Sequence, residues 1–174
     1  MNYVKIIERD FGNGPGVRVS LFVSGCSNRC KGCFNQEAWN PNYGQPFTDE
    51  TIKEILELVD HPSCSGLSIL GGDPMESYNL QGIEKLIVAF RRRFGFEKTI
   101  WLWTGRILEE MMNDYWRINI LRAIDVLVDG PFKIKEKDLR LTFRGSKNQR
   151  IIDMQATQTF NQLILIEKYM DSWF

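Results

Sequence analysis

The sequence predicts an α/β fold, built as a partial, open (β/α) barrel of about six mostly parallel strands. Apolar, strand-like runs alternate with amphipathic helical stretches along the chain, which indicates βαβ units and a parallel sheet. A closed eight-unit barrel typically needs about 250 residues, whereas this chain has 174. A chain of that length can bury a substantial core and is most simply one domain, spanning residues 1–174.

Six strands are predicted from runs that are rich in β-branched and aromatic residues and are bounded by turn residues. They are Tyr3 to Glu8, Val17 to Val23, Gly66 to Leu70, Thr99 to Trp103, Ile124 to Asp129, and a strand around Arg150 to Met154. The segment Asp10 to Gly16 contains three glycines and a proline, which predicts a tight turn between the first two strands. That turn is either a simple hairpin loop or a segment that shapes a binding pocket.

The spacing of apolar residues predicts four helical stretches. The first follows Thr48, which can cap it, and has Asp49 and Glu50 in its first turn, where the helix dipole favours acidic groups. The others are a stretch from Leu80 that Gly95 closes, Ile107 to about Arg122 with a break near Asn113, and Phe160 to Phe174. The highly charged segment Lys133 to Arg140 is expected to be an exposed loop.

Composition is that of an ordinary globular protein, with 43% hydrophobic and 25% charged residues. Because 22 basic and 22 acidic residues balance, no overall field favours nucleic acid or a membrane surface. The first ten residues carry charges and no long apolar core, so they do not resemble a signal peptide. We therefore expect a cytoplasmic chain without nucleic-acid or membrane partners, whose thiols stay reduced and free for a metal.

Three cysteines stand close together directly after the second predicted strand. Cys26, Cys30 and Cys33 have C-x3-C-x2-C spacing, and a loop of this size can wrap its thiolates around one inorganic centre. A closed zinc site needs four ligands and an ordinary iron–sulfur cluster four thiolates. A 4Fe–4S cluster held by three would leave one iron open to another ligand. Cys64 lies outside this spacing and is expected to be a small buried hydrophobe.

Several further motifs follow predicted strands. Gly71-Gly72-Asp73-Pro74, Thr104-Gly105 and Asp129-Gly130 each come directly after one. In open α/β sheets, ligands bind at the carboxyl ends of the strands. The placement therefore predicts a single site that contains these turns and the cysteines.

A wider set of motifs, in a consistent order, narrows the interpretation. It comprises Gly-Asn-Gly-Pro-Gly-Val-Arg (12–18), Gly25-Cys26, Lys-Gly-Cys-Phe-Asn (31–35), Gly-Gly-Asp-Pro (71–74), Trp-Leu-Trp-Thr-Gly (101–105), Val-Asp-Gly-Pro-Phe (128–132) and Arg-Gly-Ser-Lys-Asn-Gln (144–149). With the cysteine spacing, these residues resemble the radical S-adenosylmethionine (SAM) superfamily. Within it, they look like the activating proteins of anaerobic ribonucleoside-triphosphate reductase, which are glycyl-radical activating enzymes. The resemblance covers roughly residues 3–155; residues 156–174 carry no matching motif.

The resemblance implies a radical SAM type of fold and an oxidoreductase activity. A reduced 4Fe–4S cluster on Cys26, Cys30 and Cys33 would cleave SAM, and the resulting radical would generate a glycyl radical on the reductase, its protein substrate. No side chain would itself be catalytic, because the cluster and SAM carry the chemistry. The chain has no second cysteine cluster, so an external one-electron donor such as flavodoxin is implied. The implied SAM-binding residues are Gly32, Cys33, Phe34, Gly71, Gly72, Asp73, Pro74 and Asp129.

Alternative interpretations remain for the whole chain and for single residues. The chain could be another compact radical SAM enzyme, such as a pyruvate formate-lyase-type activase, or a non-catalytic metal-binding interaction module. Asp73 and Asp129 could instead serve as turn or helix-cap residues. Trp101 and Trp103 face one side of a strand and are more often core than ligand-stacking residues. The 144–149 segment is expected only to lie near the site.

Overall fold

A computed structural model, which describes residues 1–170, shows a mixed α/β fold around one seven-stranded sheet. The strands are β1 (Asn2–Asp10), β2 (Val17–Val23), β3 (Gln45–Pro46), β4 (Cys64–Gly71), β5 (Thr99–Trp103), β6 (Val126–Asp129) and β7 (Arg150–Asp153). The helices are α1 (Asp49–Val59), α2 (Leu80–Phe94), α3 (Leu108–Met111), α4 (Tyr115–Ala123) and α5 (Met154–Phe160). All six predicted strands are present, and the short β3 is the one that the sequence did not reveal.

The sheet is parallel only at its centre. Its strand order is β3-β1-β2-β4-β5-β6-β7, and the neighbours β2, β4, β5 and β6 run parallel. The strand β1 is antiparallel to both β2 and β3, and β7 is antiparallel to β6. The prediction of a mostly parallel sheet was therefore wrong at both edges. The loop of residues 11–16 is too short for a parallel crossover, so it joins β1 and β2 as a hairpin.

The sheet is open, as predicted. Its edge strands β3 and β7 do not pair with each other, so the sheet does not close into a barrel. No helix within residues 1–170 is long and apolar enough to cross a membrane.

The helices pack on one face of the sheet and form the larger core. Ile55 of α1, Ile83 of α2 and Ile120 of α4 are buried there. They pack with strand residues of that face, including Leu102 of β5 and Leu127 of β6. Because side chains alternate along a strand, the neighbours of these strand residues point to the opposite face.

The opposite face of the sheet, called the inner face below, is aromatic and polar. Trp101 and Val128 are buried there in a second cluster, with Trp103, Phe143 and Tyr169 packed against it. The ring centroids of Trp101 and Phe143 lie 5.4 Å apart, and those of Trp101 and Tyr169 5.8 Å apart, both edge to face. These contacts show that Trp101 serves packing rather than exposure to a ligand.

Arg18 is a fully buried cation on the inner face. Its Nε donates to Ser68 Oγ at 2.7 Å, its Nη1 to Thr99 Oγ1 at 2.9 Å, and its Nη2 to the Leu67 and Thr99 carbonyl oxygens at 2.8 and 2.9 Å. Its guanidinium also lies over the Trp101 ring, 5.8 Å from the centroid. Burial lowers the pKa of Arg18 to about 10. Hydrogen bonds therefore solvate this charge, because within residues 1–170 it forms no ion pair.

The C-terminal segment differs from the predicted helix over Phe160 to Phe174. The helix α5 ends at Phe160, because Asn161 adopts the left-handed conformation at φ 47°. Beyond it, Leu165 bridges to Ile152, and only Glu167–Tyr169 forms a short 3₁₀ helix. Residues 171–174 lie outside the described part of the chain. The prediction of a break near Asn113 is confirmed, since α3 ends at Met111 and α4 begins at Tyr115.

Replacing Arg18 with Ala should lower the free energy of unfolding by about 2–4 kcal/mol, since it leaves buried acceptors unpaired and opens a cavity. Arg18→Met fills most of the volume but satisfies no acceptor, and it should cost less. Urea unfolding of the metal-free protein, followed by tryptophan fluorescence, measures both changes. The exposed Arg92→Ala control should stay within about 0.5 kcal/mol of wild type. Equal stabilities for Arg18→Ala and Arg92→Ala would contradict the assigned role.

Candidate functional site

One cavity of about 520 Å³ lies at the carboxyl ends of the central strands. The lining residues are, in chain order, Gly12, Asn13, Cys26, Asn28, Cys30, Gly32, Cys33, Phe34, Trp39, Leu70, Gly71, Gly72, Trp103, Thr104, Gly105, Gly130, Phe132, Lys137, Asp138, Leu139, Leu141, Phe143, Arg144, Gly145 and Gln149. The structure thus brings the cysteines together with the turns that follow β4, β5 and β6. It also places the 144–149 segment beside them. Asp73, Pro74 and Asp129 are buried behind the wall and do not line the cavity.

The three cysteines lie on the loop of residues 24–35, called the cysteine loop below. Each is half-buried, and none forms a disulfide. Three backbone hydrogen bonds hold the start of the loop: Gly25 N–H donates to the Ala38 carbonyl at 2.6 Å, Cys26 N–H to the Trp39 carbonyl at 3.2 Å, and Asp73 N–H to the Gly25 carbonyl at 2.7 Å. The first cysteine is therefore positioned by the protein alone.

The thiol of Cys26 is hard to ionise in the metal-free protein. Burial raises its pKa to about 11, and the negative charge of Asp73 adds to the rise, although the backbone N–H groups of Asn28 and Arg29 oppose it. Cys26 is therefore protonated at neutral pH. A metal that binds there must displace this proton.

The donor set fits an iron–sulfur cluster better than a single ion. Within residues 1–170, no three His, Cys, Asp or Glu side chains converge closely enough to hold one metal ion. The thiolates that hold an iron–sulfur cluster need not come as close together, because they bind different iron atoms. The remaining cysteine, Cys64, is buried at the start of β4, whereas Gly71 at the end of that strand lines the cavity. Trp39 also lines the cavity, and its buried indole N–H has no acceptor within the described residues.

The glycine pair after β4 lets two loops touch. A Cβ on Gly72 would lie 2.4 Å from the Gly25 carbonyl oxygen and 2.9 Å from that of Ala38. Any larger residue would therefore push the turn away from the cysteine loop. Gly32 serves a similar purpose on the other side of the cavity, where a Cβ would meet Ile134 Cδ1 at 2.8 Å.

The carboxylate of Asp73 joins three loops. Its Oδ1 accepts from Met75 N–H at 2.9 Å and from the Thr104 hydroxyl at 2.7 Å. Its Oδ2 accepts from Gly105 N–H at 3.2 Å and from Asn28 Nδ2 at 3.4 Å. Burial raises the pKa of Asp73, and the hydrogen bonds from Thr104 and Met75 oppose that rise. These four contacts show that Asp73 stabilises the turns around it, as one interpretation of the sequence proposed. Its contact with SAM stays a prediction.

Glu76 is a site residue that the sequence did not reveal. Its Oε1 accepts from both the backbone N–H and the hydroxyl of Ser27, at 2.8 and 2.5 Å, and its Oε2 pairs with Arg106 at 3.0 Å. Burial raises the pKa of Glu76, but the bonds from Ser27 and the charge of Arg106 outweigh that effect and lower it overall. No local pattern predicts this contact, because Ser27 and Glu76 are 49 positions apart.

Asp129 closes the other end of the site wall. It is fully buried, accepts from Leu108 N–H at 2.8 Å at the start of α3, and pairs with Arg150 at 2.5 Å. Arg150 also binds the more exposed Glu109 at 2.8 Å. The hydrogen bonds that Arg150 donates to these carboxylates, first to Asp129 and then to Glu109, raise the pKa of Arg150. Asp129 thus accepts from the first N–H of α3, although the N-cap residue of that helix is Ile107, and its contact with SAM stays a prediction.

The two polar loops that flank the cavity are tied to the sheet. Asp10 accepts from the Ser20 hydroxyl at 2.5 Å and from Asn13 Nδ2 at 2.6 Å, which folds the 11–16 loop over the inner face. Gln149 accepts from Gly145 N–H at 2.8 Å and donates to the Gly130 carbonyl at 3.1 Å. Both loops therefore contribute to the cavity wall, and the 11–16 loop is more than a hairpin.

Comparison with known proteins defines the class. Residues 12–152 match the family described as "4Fe-4S single cluster domain". Together with three free thiols on one cavity wall, this match defines an iron–sulfur protein of the single-cluster kind.

The particular family follows from full-length relatives. A protein of Enterobacteria phage T4 is 41% identical over 151 residues, which cover 87% of this chain and 93% of the relative. Relatives from Vibrio cholerae and Escherichia coli are 43% and 40% identical, covering 87% and 86% of this chain and 97% and 96% of their own lengths. All three are named anaerobic ribonucleoside-triphosphate reductase-activating protein. The chain belongs to this family.

Replacing Asp129 with Asn should lower the free energy of unfolding by about 3 kcal/mol, because Arg150 loses its buried partner. Denaturant unfolding of the metal-free protein measures the change. Glu109→Gln removes only the more exposed partner of Arg150 and should cost less than about 1 kcal/mol. If both variants were equally stable, the structural role of Asp129 would be refuted.

Replacing Glu76 with Gln should weaken the hold of the cysteine loop on iron. The change removes the charge that faces Arg106 and one acceptor for Ser27, and loss of such supporting contacts typically costs about tenfold or more in metal affinity. The measurement is the rate of iron loss to a chelator after anaerobic reconstitution. The exposed Glu54→Gln should behave like wild type. Wild-type iron retention in Glu76→Gln would show that the contact is dispensable.

Proposed function

We propose that this chain activates an anaerobic ribonucleoside-triphosphate reductase by generating a glycyl radical on it. One observation carries the proposal: three unpaired, half-buried thiols face one cavity in a chain whose family is named for this activation. The mixed, open sheet is compatible with a partial barrel of the radical SAM type. A protein substrate could cover its open side.

Cys26, Cys30 and Cys33 would hold the cluster, and the cavity would hold SAM next to it. A reduced 4Fe–4S cluster held there would supply one electron for SAM cleavage, which would lead to hydrogen abstraction from the target glycine. The chain's own residues position these groups. Trp103, Phe132 and Phe143 supply aromatic walls to this cavity.

The proposed SAM contacts divide into two groups. Gly32, Cys33, Phe34, Gly71 and Gly72 line the cavity, where backbone carbonyls can accept hydrogen bonds from the SAM ammonium group. The ring of Phe34 is 88% exposed at the cavity mouth, where it can pack against adenine.

The second group of proposed contacts lies behind the wall. Asp73, Pro74 and Asp129 are buried there, so direct contact with SAM would require them to exchange protein hydrogen bonds for ligand ones. The unpaired indole N–H of Trp39 is a further donor on the cavity wall, available to the SAM carboxylate.

The required electron would come from outside the chain. Only Cys64 remains once three cysteines hold a cluster, and it is buried away from the cavity. We therefore propose an external one-electron donor, such as flavodoxin.

Cys30→Ala should abolish activation, because it removes one of three cluster ligands while the chain supplies no substitute. The measurement is the glycyl-radical signal of the reductase in electron paramagnetic resonance, with SAM and reductant supplied. The matched control Cys64→Ala should still activate the reductase. A full radical yield from Cys30→Ala would refute the proposal.

The same spectroscopy tests the use of SAM. The reduced wild-type protein should give a cluster signal whose shape changes when SAM is added. Tightly bound zinc without a cluster signal would instead favour the non-catalytic interaction module.

A further inference from the structure

The mouth of the cavity carries an excess of basic residues. It is formed by residues 29–34 of the cysteine loop and by residues 132–149, which meet where Gly32 packs against Ile134. These two segments contain eight basic and two acidic residues, a local net charge of +6, whereas the whole chain is neutral. Charge is therefore concentrated where the cysteines reach the surface.

Four of the basic residues form no ion pair with an acidic side chain in the described part of the chain. Both acidic residues form ion pairs with other bases of these segments. Glu136 pairs with Lys133 at 3.4 Å, and Asp138 pairs with Arg140 at 2.8 Å and with Lys147 at 3.8 Å. Arg144 donates to the carbonyl oxygens of Lys147 and Gln149, and the four other bases form no ion pair within residues 1–170. They are Arg29, Lys31, Lys135 and Lys137, called the basic rim below; all four are exposed, and Lys137 lines the cavity.

Exposed apolar side chains stand inside the basic rim. Phe34 is 88% and Leu139 89% exposed, and both line the cavity mouth. Ile134 beside them is 42% exposed. Uncovered apolar groups with charged neighbours are typical of surfaces that bind another protein.

We infer that the basic rim is the docking surface for an acidic one-electron carrier protein. This inference rests on the proposed function, because it assumes a cluster on Cys26, Cys30 and Cys33. Arg29 and Lys31 flank Cys30, so a carrier held there is brought next to the cluster ligands. Electron-transfer partners form small, short-lived interfaces, and a patch of unpaired charge speeds their encounter more than it tightens their binding.

The electron transfer balances without further reactants. The reduced carrier is oxidised by one electron, and the oxidised cluster is reduced by one electron. No bond forms or breaks between the two proteins. The carrier must then leave, because the target segment of the reductase needs the same cavity mouth.

Charge reversal at the rim tests this assignment. In Lys135→Glu/Lys137→Glu, reduction of the reconstituted cluster by reduced flavodoxin should be about tenfold slower or more at low ionic strength, and the difference should shrink with added salt. Stopped-flow absorbance measures the rate. Lys53→Glu/Arg92→Glu makes the same change in net charge on the helical face and should stay close to wild type.

Two further readouts separate the possible outcomes. Oxidised flavodoxin should bind the metal-free chain more weakly after the rim reversal, which requires no cluster. Photoreduction by a neutral deazaflavin should be unaffected, because it needs no protein docking. Equal carrier rates and equal binding in the two double variants would overturn the inference.

The reductase is the competing occupant. If rim reversal slowed glycyl-radical formation by deazaflavin-reduced enzyme but left reduction by flavodoxin unchanged, the rim would belong to the reductase and the inference would fail. A wild-type protein that accepts electrons but makes no glycyl radical would instead refute the proposed function and leave the docking surface standing.

Discussion

The buried carboxylate of Asp73 is the interaction on which the site depends. It accepts hydrogen bonds from Asn28 of the cysteine loop, from Met75 of its own turn, and from Thr104 and Gly105 after β5. Burying a carboxylate is costly, as its raised pKa shows, and only several donors offset that cost. The three loops must therefore fold together, because none of them satisfies this group alone.

Two other carboxylates extend the same principle around the cavity. Glu76 holds Ser27 and Arg106, and Asp129 holds Arg150 and the start of α3. Each ties residues that are far apart in sequence. The cavity wall is thus held by the protein's own hydrogen bonds and ion pairs, and such preorganisation is how enzymes limit the reorganisation needed for reaction.

The division of the sheet into two faces explains why the site lies where it does. Helices cover one face and form an aliphatic core. The inner face instead carries Arg18, Trp101 and Trp103, with a polar loop folded over it. Trp103 belongs both to the aromatic cluster and to the cavity wall. Its indole N–H donates to the Phe143 carbonyl at 2.8 Å, and the residue also lines the cavity. Packing and binding therefore share one surface.

Local sequence determined six of the seven strands, the helices α1 to α4, the cysteine loop and the turns that follow the central strands, since periodicity and turn residues act over a few positions. It could not determine the antiparallel edges, because strand direction depends on distant pairing. The predicted helix after Phe160 failed when a left-handed Asn161 and contacts with β7 prevailed over helical propensity. Only the tertiary structure decided what Asp73 and Glu76 do, because most of the donors to each buried carboxylate lie tens of residues away in sequence.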